Sequence, residues 1–185
     1  LILHVEAVED DYLIELNRQN VPLVLVNRYV ELLDDVCIHL NNELGGYLAT
    51  KSVLDRGHKD IAYVSGPKTK LDASHRLAGH KRALEERGIR INPDLIEEGN
   101  FQQSGGQQGF AKLFKKGASF TAIVCGNDEM ASGVMTAARE EDLNLPKDLS
   151  VVGFDNIIYA SYLFPTLSTV AYPIHEMGIM SAKLV

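Results

Sequence analysis

VVGFDNIIYASYLFPTLSTVAYP, residues 151–173, opens as a buried strand and stops on a charge. Val151, Val152, Gly153 and Phe154 are uncharged, and the next residue, Asp155, is a carboxylate. An irregular run of aromatics and a proline follows, and the chain extends again through LSTV. A solvated turn can end a strand on Asp. So can a pocket at the end of a sheet, because open α/β sheets bind ligands outside the carboxyl ends of their strands. The remainder of the chain bears on that choice.

On either side, strand-like and helix-like segments alternate. LILHV, PLVLVN, VCIHLNN, DIAYVSG, LIEEGN, TAIVCGND and LSVVGFD read as strands. Between them, DDYLIELNRQN, NELGGYLATKSVLDRG, ASHRLAGHKRALEERG, SGGQQGFAKLFKKG and DEMASGVMTAAREEDL read as helices, and PIHEMGIMSAKLV starts a last one. Gly57 and Gly88 stand where a helix ends on a C-cap glycine. Strands apolar on both faces, alternating with helices, predict parallel sheets covered by helices. SGGQQG, residues 104–109, lacks the GxGxxG spacing and reads as a loop entering a helix.

The 185 residues carry a formal net charge of −7, which argues against this piece gripping phosphates by itself. No apolar span reaches the length of a transmembrane helix, and no membrane partner is expected. Cys37 and Cys125 lie in apolar runs without a CxxC, so buried free thiols and a reducing, cytoplasmic setting are expected. GxxxxGK[ST], GxSxG and metal-ligand spacings are absent from the sequence, and neither catalysis, a cofactor nor a metal is expected. The chain opens LILHVEAVEDD without Met and stops at SAKLV inside a helix, as a fragment would.

The strand ends carry groups that hydrogen-bond in pairs. Asn27 ends PLVLVN, Asn127 and Asp128 end TAIVCGND, Asp155 ends LSVVGFD, and LILHV carries His4. Arg76 lies early in the helix after Gly66, and Phe101 follows LIEEGN. Such a set suits a polyhydroxylated ligand: Asp accepts from adjacent hydroxyls, Arg offers a planar fork of donors, and an aromatic ring covers a C–H face. Each residue also has a structural reading. Asp155 serves equally as a turn residue, Asn127 as an N-cap, Arg76 as a surface arginine, and Phe101 and His4 as structural packing. His58 and His80 read as surface or helix-end residues.

HKDIAYVSGP, SHRLAGHKRALEERGI, TAIVCGNDEMASGVMTAAREEDLNLPKDLSVVGFDN and FPTLSTVAYPIHEMG form an ordered set along nearly the whole chain. Together they resemble the effector-binding core of the LacI/GalR family of bacterial transcription regulators. The resemblance implies a two-lobed, periplasmic-binding-protein-like α/β fold, incomplete at its N-terminus, with the effector in the cleft between lobes. Residues 1–65 with 172–185 would form the first lobe and 66–171 the second, with LSTVAYP as a hinge crossover. It implies effector contacts at Arg76, Asn127, Asp155 and Phe101, and variable contacts at Asp72, Asn27 and His4. The implied parent protein is a cytoplasmic, homodimeric, sugar-responsive repressor that binds operator DNA through a helix-turn-helix domain outside this chain. A periplasmic sugar-binding transport protein and a purine- or nucleoside-responsive regulator are the alternatives.

Overall fold

The computed structural model describes residues 1–3 and 8–185, so His4 lies outside the described residues. The elements are β1 (Ile2–Leu3), α1 (Asp10–Arg18), β2 (Val24–Val26), β3 (Cys37–Ile38), α2 (Asn42–Leu54), β4 (Ile61–Ser65), α3 (Leu71–Glu86) and β5 (Ile96–Glu98). They continue with α4 (Gln103–Lys115), β6 (Ala122–Cys125), α5 (Asp128–Glu140), β7 (Ser150–Asp155), β8 (Ser168–Ala171) and α6 (Ile174–Leu184). Short 3-10 turns occupy Glu31–Val36, Pro93–Leu95 and Ile158–Tyr162.

The chain divides into two compact units, Leu1–Asn41 with Tyr172–Val185, and Asn42–Ala171. The boundary expected near residue 65 therefore moves to Asn41/Asn42. The physical reason is that α2 packs against α3 and β7, and β4 pairs on both sides with β5 and β6. Cutting at residue 65 would strip the larger sheet of its second strand.

The smaller unit is a three-stranded parallel sheet in the order β1-β2-β3. Its central strand alternates in its packing, as the period of two requires. Leu25 joins Leu13 of α1 in one cluster, and Val24 joins Met177 of α6 in another.

The larger unit is a five-stranded, all-parallel sheet in the order β5-β4-β6-β7-β8. LSTVAYP, expected as a crossover, supplies β8, which pairs in register with β7 from Val152↔Ser168 to Asp155↔Ala171. Alternation again sets the two faces. Ile61, Tyr63 and Val124 pack with α2 and α3 residues such as Val53 and Leu84. Ala62, Val64 and Ile123 pack with Phe110 of α4 and Val134 of α5. Each large side chain so buried contributes about 1.5–3 kcal/mol.

Glycines set how closely the helices approach. Gly46 of α2 lies against the Arg76 backbone of α3, and Gly79 of α3 lies against the Glu43 backbone of α2, with no room for a Cβ at either. SGGQQG, which reads both as part of the helical segment and as a loop entering it, lies inside α4, for the same reason. Gly106 of α4 lies against the Met130 carbonyl and Gly133 of α5 against that of Gln103, so the residues that weaken a lone helix permit this contact.

Candidate functional site

Within the larger unit, the carboxyl ends of β4, β6 and β7 gather the polar residues that end these strands. Arg76, one turn into α3, is their hub. Its side chain is 6 % exposed, and burial of an unpaired guanidinium would be costly, so Nε and Nη1 are engaged. Nε donates to Asn42 Oδ1 at 2.8 Å, and Nη1 donates to the Gly126 carbonyl at 2.6 Å. Nη1 also stands 3.5 Å from Asp155 Oδ1. The guanidinium lies 3.8 Å over the Phe154 ring and 5.8 Å from that of Phe101. Asn42 Nδ2 in turn donates to Asp72 Oδ1 at 3.0 Å, which ties Asp72 to the same group.

Asp155 ends β7 with φ of 116°, a region that L-residues rarely adopt. The following residue, Asn156, is also left-handed, at 57°. Burial pushes the Asp155 carboxyl up to about 6; Arg76 pulls it down, and Asp128, Asp72 and Glu129 add to the rise. One guanidinium at 3.5 Å does not offset the desolvation.

Asp128 is held differently. It is fully buried; Thr169 Oγ1 donates to Oδ1 at 2.6 Å, and the Ile157 N–H donates to Oδ2 at 2.9 Å. Burial raises its pKa, while Thr169 and the backbone N–H groups of Ile157, Asn156 and Phe154 pull it back. This carboxylate fastens the end of β7 to β8.

Asn127 is the N-cap of α5. Its Oδ1 accepts from the Met130 N–H at 3.0 Å, and its Nδ2 donates to the Phe101 carbonyl at 2.8 Å. Phe101 has φ of 63°, and its ring lies on Gly66, where a Cβ would collide with it. The structure thus links Arg76, Asp155, Phe101, Asn127 and Asp72. Asn27 directly follows β2 in the smaller unit, with φ of 55° and its N–H on the Ile38 carbonyl at 2.6 Å. Asn42 and Phe154 were missed by the sequence reading. Asn42 begins a helix and resembles any polar helix start. Phe154 sits inside a strand and resembles any core residue.

The arrangement offers an accepting carboxylate, a donating guanidinium and a ring face within one small region. Arg76 Nη2 has no protein partner among the described residues, while no buried side-chain N or O there is unsatisfied. Nη2 is therefore not fully sealed from solvent and can still donate. No cluster with metal-ligand character occurs among the described residues.

The periplasmic binding protein-like domain family matches residues 50–185. The chain is 36 % identical over 184 residues to the HTH-type transcriptional regulator GalR of Escherichia coli K12, covering 100 % of this chain and 54 % of that protein. It is 38 % identical over 164 residues to the ribose operon repressor of Haemophilus influenzae, covering 89 % and 49 %. The chain thus spans about half the length of these curated relatives. A sugar-binding LacI-family regulator from Escherichia coli, solved in complex with phosphate, superposes with a TM-score of 0.93 at 30 % identity, covering 99 % of this chain and 66 % of the other.

Proposed function

We propose, from the premise that this chain belongs to the periplasmic binding protein-like domain family in its LacI/GalR-type form, that the whole protein is a ligand-responsive transcriptional repressor. The chain described here is its effector-binding part, and the effector is a carbohydrate. The observation that carries this reading is the Asp155–Arg76 pair at 3.5 Å, with the guanidinium 5.8 Å from the Phe101 ring. Adjacent hydroxyls satisfy Asp155 as acceptor and Arg76 as donor at once, and the ring covers the C–H face.

In this reading, operator DNA is bound through a segment outside this chain, and the protein works in the cytoplasm as a homodimer rather than as an enzyme. Ile158, Tyr162 and Phe164 are each more than three-quarters exposed within one seven-residue stretch, which supports a self-association surface. Effector changes operator affinity only through its differential affinity for two conformations, typically about 1–3 kcal/mol.

The test is a thermal-shift screen of the full-length protein against mono- and disaccharides, nucleosides and purines. A sugar that binds only the folded state raises its stability by about 2.7 kcal/mol at a hundredfold excess over Kd. That shift should vanish in Asp155→Asn. A purine as the sole hit overturns the carbohydrate assignment, and no hit on a folded sample overturns the sensor reading.

A further inference from the structure

The carboxyl ends of β4 and β6 lead into the N-termini of α3 and α5, and helix N-termini ordinarily attract phosphate groups. Here both starts already hold acids. Asp72 lies in the first turn of α3, and Asp128 and Glu129 open α5. The charges that act most on Asp155 are accordingly one cation, Arg76, against the three carboxylates Asp128, Asp72 and Glu129.

That single cation is mostly engaged by the protein. Arg76 is 5 % exposed; Nε is taken by Asn42, and Nη1 by the Gly126 carbonyl with Asp155 beside it. Only Nη2 has no protein partner among the described residues. The lysines that precede α3 add little. Lys68 pairs with Glu98 at 3.4 Å, and Lys70 is exposed at the N-cap, where solvent screens it. A sugar hydroxyl can donate to Asp155 and accept from Nη2. A phosphate group can only accept, and it carries almost two negative charges toward carboxylates that already raise one another's pKa values.

We infer that the effector is an uncharged sugar, and that the carboxylates opening α3 and α5 exclude its phosphorylated forms. This rests on the carbohydrate reading above and deepens it: the protein senses a sugar before phosphoryl transfer, not after it.

The test is calorimetric titration of the full-length protein at about pH 8, where Asp155 and a phosphate ester are both ionised. The probes are glucose, galactose, fructose and ribose, each beside its phosphate esters at the anomeric and terminal hydroxyls. The esters of any sugar that binds should be weaker by about tenfold or more, as like charges brought together require. Raising salt from about 0.02 M to about 0.5 M should narrow that gap, because screening acts on charge and not on bulk. Glu129→Gln, an exposed position, should leave the free sugar unchanged and tighten its esters by about two- to fivefold. An ester that binds as well as its free sugar, or a gap that salt does not narrow, overturns the inference and leaves the carbohydrate reading standing. No binding by any sugar in either form overturns both.

Discussion

Asp128 and Asp155 follow neighbouring strands of one sheet, and burial raises both pKa values, yet their surroundings differ in kind. Asp128 is enclosed by donors from β8 and from the turn after β7. Asp155 has one guanidinium at 3.5 Å, a left-handed backbone and a side chain 27 % exposed. The same residue type becomes a fastener where the protein supplies the donors, and keeps accepting capacity, used by the effector in the function proposed above, where it withholds them.

The sharpest way to break this contrast is Asp128→Ala. It removes the acceptor of the part-buried Thr169 hydroxyl and Ile157 N–H and should cost about 3 kcal/mol in urea unfolding. A loss below about 1 kcal/mol would place the two carboxylates in one class. Asp155→Asn should act in the opposite direction. In the folded protein Asp155 holds its proton up to about pH 6, above the ordinary Asp value near 4. The native state therefore binds more protons between these values, and its stability falls as pH rises through them. The interval is worth about 3 kcal/mol in full, and solvent screening reduces it to about 1–2 kcal/mol. Asp155→Asn keeps a residue tolerant of positive φ, should gain that amount at pH 7, and should flatten stability against pH between about 4 and 6. Unchanged stability at pH 7 would show that the carboxylate is already satisfied. The smallest effect belongs to Asn127→Ser. The cap acceptor survives and the bond to the Phe101 carbonyl is lost, so stability should drop by about 1 kcal/mol. A larger loss would make Asn127 a fastener like Asp128.

The elements were legible in the sequence because their signals are local. Gly57 and Gly88 have φ of 91° and 66° and end α2 and α3 as C-cap glycines do. The apolar runs became strands because both faces of the larger sheet are covered. Failures came where distant parts meet. SGGQQG is helical because α5 lies against it, and His80 is buried because Thr50 and Tyr63 receive it. The unit boundary follows from strand pairing across tens of residues. At the site, Asp155, Arg76 and Phe101 were legible as strand-end chemistry, whereas Asn42 was not. Its importance lies in touching both Asp72 and Arg76, which no spacing announces.

The glycine contact between α2 and α3 makes Arg76 part of a lever. Gly46 bears on the Arg76 backbone and Gly79 on the Glu43 backbone, so neither helix can slide along the other without a collision. The Arg76 guanidinium also grips Asn42, the first residue of α2. A force applied at the guanidinium is therefore shared by both helices at once and loads the first turn of α2. That turn begins where the chain leaves the smaller unit at Asn41.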